Sequence, residues 1–268
     1  MRMSNIKVTH ADSGLIRARV VHSEQVTPHM RRVTLGGPDL KRLTARGFDQ
    51  WVRLALPKSS ETRFDNLADS FGVKGYVRFL TLPKATRPVI RNYTIREVRP
   101  DLPEVDIDFV CHGDEGFAGP WAREVGPGAE VAMIDQGCGW APVPAPWQLL
   151  VADESGLPAI AGILRDLPRE TTGHAFIELF DDADRQDCQA PAGVNVHWLT
   201  RQAHEDPGTL ALRAVHELDF PDGAPYAFVV GEQALAAGVR RHLVQERGLP
   251  KTHVTFSGYW RRGKASPS

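Results

Sequence analysis

A chain of 268 residues has room for one large domain or two ordinary ones, and its 42% hydrophobic and 24% charged content is that of a soluble globular protein. The formal net charge of −1 provides no global field for holding a polyanion, which excludes nucleic acid as a partner. No stretch approaches the roughly 18 apolar residues of a membrane span and the start lacks an apolar leader core, so the expectation is a cytoplasmic protein, without membrane insertion and monomeric.

From about residue 15 to 140 the chain reads as short β-rich pieces punctuated by Pro and Gly. In order they are "LIRARVVHSEQV", "MRRVTLGG", "WVRLALP", "YVRFLTL", "YTIREV", "VDIDFVCH" and "AEVAMID". Regular short strands of this kind predict an antiparallel barrel or sandwich. "APVPAPW" at 141–147 is a proline-stiffened linker candidate, and it divides the chain into 1–142 and 143–268.

Beyond it the rhythm changes. Strand "WQLLVAD" leads into helix "ESGLPAIAGILRDL", with Leu157, Ile160, Ala161, Leu164 and Leu167 on one stripe. Strands "HAFIELF" and "VNVHWLT", helix "GTLALRAVHEL", strand "PYAFVVGE", helix "QALAAGVRRHLVQERG" and strand "THVTFSGYW" follow. Alternation of this kind predicts a parallel, helix-covered sheet, so the fold class is β plus α/β. Cys111, Cys138 and Cys188 form no CxxC pair, and the ten histidines show no HExxH or HxH cluster, so neither a disulfide framework nor a protein-bound metal is expected.

"RNYTIREV" at 91–98 places a cation, a ring and a hydroxyl close together. On a strand Arg91 and Tyr93 share one face and Thr94 takes the other. The arginine can grip a pyrophosphate bidentately, the ring can lie along a flat heterocycle, and the threonine can meet a ring nitrogen, which together make a flavin grip; a cross-strand packing face is the alternative. In "DIDFVCHGDEGFAGPWAREVGPG" glycines 113, 116 and 119 let backbone N–H groups approach an anion just before a helix start, as a diphosphate site requires; a simple turn after a strand reads the same way.

"RNYTIR", "DIDFVCHGDEGFAGPWA", "ADESGLPAIAGIL", "VVGE" and "SGYWRRG", in this order over residues 15–263, resemble the siderophore-interacting protein family of flavin-dependent ferric-siderophore reductases, relatives of ferredoxin reductases. The resemblance implies an FAD-binding β-barrel over 1–142 and an NAD(P)H-binding α/β domain over 143–268. It implies Tyr93 against the isoalloxazine and Arg91 towards the pyrophosphate, with Asp108, Val110, His112, Gly116, Ala118 and Trp121 on a second FAD segment. Tyr259 and Trp260 are implied near the flavin. Asp153 and Ser155 open the helix of the nucleotide domain, as a side-chain cap or as nicotinamide contacts; two carboxylates there imply weak or transient nucleotide binding. No general acid and no protein nucleophile is required, so no residue is assigned a catalytic role.

Several residues depart from the family pattern. Phe117, Gly119 and Pro120 stand where proline, serine and a variable residue are usual, "DQGCG" replaces a Gly-Pro pair, and Ser155 stands for threonine. For an anionic ferric siderophore a local cationic patch is expected from Arg240, Arg241, Lys251, Arg261 and Arg262, for which a solvated face is the alternative. Asp181, Asp182 and Asp184 after the second strand of the α/β half favour NADH, Arg185 and Arg201 can counter them, and the resemblance favours NADPH; a ferredoxin donor is the third option. The rival functions are a general NAD(P)H flavin or ferredoxin-type oxidoreductase and a non-catalytic siderophore-binding protein.

Overall fold

The structure, a computed structural model, describes the chain except residues 1–3, 9–12, 66, 69–72, 82, 112, 114, 115 and 265–268, and except the side chains of 73, 74, 76 and 78. It consists of two compact units, one running mainly to Cys138 and the other from Gly139, the latter including Thr27–His29 and the chain start up to Lys7.

The first unit is a closed antiparallel barrel in the order β1 (Ile16–Thr27), β2 (Met30–Gly36), β5 (Glu104–Val110), β4 (Val89–Arg99), β3 (Trp51–Leu56) and β6 (Glu130–Asp135). Closure removes the open edges that an isolated sheet would present. Alternation sets the lining: Ile16, Ala18 and Val20 from β1, Val33 and Leu35 from β2, and Val105, Ile107 and Phe109 from β5 are all buried. Each fully buried aliphatic side chain contributes about 1.5–3 kcal/mol. The outward residues of β5 are acidic and paired: Asp106 accepts from Thr34 and Arg99, and Asp108 accepts from Arg32 at 2.7 and 2.8 Å.

"YVRFLTL" is not a strand. Residues 76–81 of it lie in helix α1 (Val73–Thr81), which puts Phe79 into a satellite cluster with Phe64, Leu67, Ala55 and Ala132 on the outer face of the barrel, and residue 82 lies outside the described residues. Its valine, phenylalanine and threonine carry β-propensity, but Val77 and Leu80, one turn apart, face outward, and burial of Phe79 decides the state. A short helix α2 (Ala118–Glu124) follows β5 and buries Ala122 in the barrel core.

The second unit is a five-stranded parallel sheet in the order β11 (Val254–Trp260), β10 (Tyr226–Glu232), β7 (Gln148–Ala152), β8 (Thr172–Leu179) and β9 (Gly193–Thr200). Strands β7 and β10 are buried almost throughout, as central parallel strands must be. Helices α3 (Leu157–Asp166), α4 (Thr209–Glu217) and α5 (Gln233–Arg241) cover it, and α5 continues into a π-helical turn over His242–Glu246 where the sequence predicts one unbroken helix. Gly248 lies in the left-handed region (φ 71°) and stops it. The outer edge of β11 is covered by the chain start: Asn5 exchanges backbone and side-chain hydrogen bonds with Val254 and Phe256 at 2.8–3.1 Å. The three cysteines are free, and no helix among the described residues is long and apolar enough to cross a membrane.

Candidate functional site

In the barrel unit, Arg91 lies opposite Leu54 and Tyr93 opposite Val52 across the β4–β3 ladder, whereas Thr94 lies opposite Trp51. The two-residue period therefore holds, and the face shared by Arg91 and Tyr93 is the one that lines the barrel. Tyr93 is half-buried: its ring packs on Phe109 at 4.4 Å, which in turn packs on Trp121 at 5.5 Å, and burial pushes its phenol well above the ordinary range. Arg91 is also half-buried. Its guanidinium donates to the Ile90 carbonyl at 2.8 Å, no carboxylate among the described residues is within ion-pair reach, and burial lowers its pKa. Arg32 and Arg99, elsewhere in the same barrel, each hold carboxylates. Arg91 is thus a partly desolvated cation with no carboxylate partner among the described residues.

Around this pair the sequence reading meets mixed outcomes. Thr94 is buried and Trp121 packs on the core, while Val110 and Ala118 are partly exposed at the end of β5 and the start of α2. The Asp108 carboxylate is committed to Arg32, with Arg96 at 3.8 Å, so only its backbone is open to a cofactor role. Gly116 (φ 84°) and Gly113 (φ 55°) take the left-handed conformation, and Arg123 pins the turn through the Gly113 carbonyl at 2.8 Å. His112 lies outside the described residues. Gly119 sits close to β5: a Cβ there would lie 3.1 Å from the Val110 carbonyl, a tight contact that would press the start of α2 away by a few tenths of an ångström.

Two features were missed by the sequence reading. The Trp51 indole N–H is buried without an acceptor, cross-strand from Thr94, which leaves a donor beside the motif. "DQGCG" is a brace: buried Asp135 accepts from Gly137 N at 2.8 Å and from Gln50 Nε2 at 3.0 Å, and the Gln50 carbonyl accepts from Ile95 N at 2.7 Å, next to Thr94. The half-buried Arg91, without a carboxylate among the described residues, and the left-handed Gly113 and Gly116 fit a flavin diphosphate in charge and backbone conformation.

In the α/β unit the carboxyl ends of the strands hold Asp153, Glu154, Glu178 and Glu232, all buried. Asp153 does not cap α3 with its side chain as expected. Its Oδ1 accepts from Ser155 N (2.9 Å) and Oγ (2.5 Å), and its Oδ2 accepts from Glu232 N (2.6 Å) and Trp260 Nε1 (2.8 Å). The cap is made instead by the Asp153 carbonyl, which accepts from Gly156 N and Leu157 N. Ser155 is thus held by Asp153, and Trp260 is tied to it, while Tyr259 is half-buried beside them on β11. Gly231 makes this possible: at φ 126° a Cβ would meet the Asp153 carboxylate at 2.7 Å.

Arg201 bridges Glu154 bidentately (2.6 and 2.9 Å) and reaches Glu178 at 3.3 Å, with its guanidinium 4.1 Å from the Phe180 ring. Burial, with Asp153 adding to it, raises the Glu154 pKa to about 7 against the pull of Arg201. Arg201 is therefore unavailable as a counter to the acidic run after β8. In that run Asp184 is buried against Thr27 and His29, Asp181 caps Ala183 N, and Asp182 pairs with Arg185.

The five cations expected to form one patch do not. Arg240 and Arg241 end α5, Arg240 lying 4.9 Å over Phe256, and Lys251 precedes β11; Arg261 and Arg262 follow β11. A seven-residue strand, about 23 Å at 3.3 Å per residue, separates Lys251 from Arg261. Arg262 pairs with Asp206, and its backbone N–H donates to Glu232 at 3.2 Å.

Comparison with known proteins agrees with this division. Residues 19–139 match the siderophore-interacting FAD-binding domain model and residues 145–263 the siderophore-interacting protein model. The ferric vibriobactin reductase ViuB of Vibrio cholerae is 35% identical over 248 residues, covering 91% of this chain and 88% of that one. A siderophore utilization protein from T. fusca, known from its crystal structure, is 32% identical, with a TM-score of 0.79 over 98% of each chain. Ferredoxin-NADP+ reductase from Plasmodium falciparum, at 10% identity and a TM-score of 0.62 over 94% and 99% of the two chains, shares the fold alone.

Proposed function

The chain belongs to the siderophore-interacting protein family, and from that membership we propose that it is an FAD-dependent reductase of ferric siderophores, using a reduced nicotinamide nucleotide as electron donor. The observation that carries the reading is Arg91, a half-buried cation with no carboxylate partner among the described residues, on the same strand face as Tyr93 within the matched FAD-binding domain.

Arg91 would hold the diphosphate, Tyr93 would support the ring system, and the turn through Gly113 and Gly116 would bring backbone N–H groups towards the phosphates. Bound FAD supplies the conversion of a two-electron donor into one-electron transfers, which iron(III) requires. The protein groups have no proton to move in the transfer; they orient and desolvate. Reduction loosens the iron because iron(II) is the poorer partner for a hard oxygen-donor chelate. Arg261 and Arg262, at the carboxyl end of the sheet, are the siderophore cations that remain together; Lys251 stands before the start of β11 and Arg240 lies over Phe256 within it.

The test is spectroscopic. Purified protein should be yellow, bleach anaerobically with NADH or NADPH, and regain its colour with a ferric siderophore while a ferrous-specific chromophore develops. Bleaching that no ferric chelate reverses would assign it to the general flavin reductases, and a colourless protein that binds the chelate would make it a binding protein.

A further inference from the structure

In an open α/β sheet, dinucleotide phosphates settle at the carboxyl edge, on helix starts whose N–H groups point outward. In this unit the sheet order puts the switch point between β7 and β10; the starts of α4 and α5 each already hold a carboxylate of the chain itself, and a third carboxylate holds the turn that enters α3. Glu178 accepts from Gly208 N, Leu210 N and Ala211 N at the start of α4, at 2.7, 3.0 and 3.1 Å. Glu232 accepts from Ala234 N at the start of α5. Asp153 accepts from Ser155 N in the turn entering α3. The opening that Gly231 leaves at the switch point, where a phosphate would otherwise come close to the backbone, is filled by the Asp153 carboxylate. Arg201, the buried cation of this edge, is held by Glu154 and Glu178 and cannot turn outward without stranding both.

We infer that Asp153, Glu178 and Glu232 are built-in anions standing in the places of a dinucleotide's phosphates, and that they make this edge a low-affinity docking face with no seat for the pyrophosphate and no advantage for a 2′-phosphate. They are specificity-determining residues by exclusion. The nucleotide is recognised through its nicotinamide-ribose end, and it leaves as readily as it arrives. Among the three, Glu232 is the point of control: its carboxylate also accepts from Arg262 N, and it has no buried cation to strand when neutralised. This inference rests on the reductase reading for its meaning, but not for its measurement.

The test is binding of ADP, NAD+ and NADP+ to the FAD-loaded protein by calorimetry, with KM for NADH and NADPH measured across salt concentrations. The expected wild-type Kd for ADP is about 1 mM or weaker, against the micromolar values of a formed phosphate seat. KM for NADH should hold or fall as salt rises, since screening relieves repulsion; a cationic seat would make it climb. Glu232→Gln and Glu232→Ser should tighten ADP about tenfold, a change of 1.4 kcal/mol. A micromolar wild-type Kd, a KM that climbs with salt, or Glu232 variants that keep their flavin and bind ADP no tighter would each overturn the inference. These measurements need no iron. Photoreduced protein that fails to reduce a ferric chelate would end the reductase reading and leave the charge argument intact.

Discussion

The barrel and the α/β unit treat buried charge in opposite ways. In the barrel Arg91 is drawn out of water and given no acid, although Asp106 and Asp108 on the neighbouring strand are matched with arginines. In the α/β unit four buried carboxylates are satisfied internally by backbone N–H groups, an indole and Arg201. An unmatched charge costs stability and waits for a ligand; a matched one holds the fold and turns a ligand away. On the proposed reading, the difference assigns affinity for an anionic cofactor to one unit and transience to the other.

The comparison can be broken most forcefully at Arg201. Arg201→Ala leaves Glu154 and Glu178 buried without their cation and should lower unfolding stability by about 3–5 kcal/mol, read from urea denaturation. Arg91→Ala should do the reverse: stability near wild type, but FAD affinity weakened by about 1.5–3 kcal/mol, read from the ratio of flavin to protein absorbance after dialysis. If Arg91→Ala destabilised the apoprotein as much as Arg201→Ala, the two units would not differ in kind. Gly231→Ala, with its left-handed φ and the Asp153 carboxylate 2.7 Å from the new Cβ, should cost about 1–3 kcal/mol and disturb the Trp260 fluorescence.

The smallest effect is a pH slope. Burial raises Glu154 to about 7 in the folded chain, above its ordinary value of 4.5. Between those values the folded state holds a proton that the unfolded state has lost, so this group's contribution is fully present below pH 4.5 and is withdrawn as the pH rises towards 7. Glu154→Gln should flatten that part of the stability profile. A profile unchanged by the substitution would mean that Arg201 keeps Glu154 ionised throughout.

Much of the fold was legible because strand alternation, the proline-rich 141–147 segment and the helical stripe of Leu157, Ile160 and Leu164 are local patterns. "YVRFLTL" misled because β-prone residues sit in a helix held by one buried ring, Phe79, whose partners Phe64 and Ala132 lie far away in sequence. The shared face of Arg91 and Tyr93, on which the proposed flavin grip rests, was legible as a two-residue spacing on one strand. The acidic edge was not: Asp153 meets its partners 79 and 107 residues on, and a carboxylate in a sequence reads as a solvated charge until its distant donors are known. The split of Lys251 from Arg261 is the same lesson, since nearness in sequence across a strand places residues at opposite ends of a sheet.

The pairing of Asn5 with β11 has a consequence for the order of assembly. Its hydrogen bonds to Val254 and Phe256 span 249 and 251 residues, so the segment around Asn5 must wait for β11, made long after it, before it finds its place. Until then that strand's flank is an open template, and a nascent or truncated chain is most exposed to mispairing with a neighbour there.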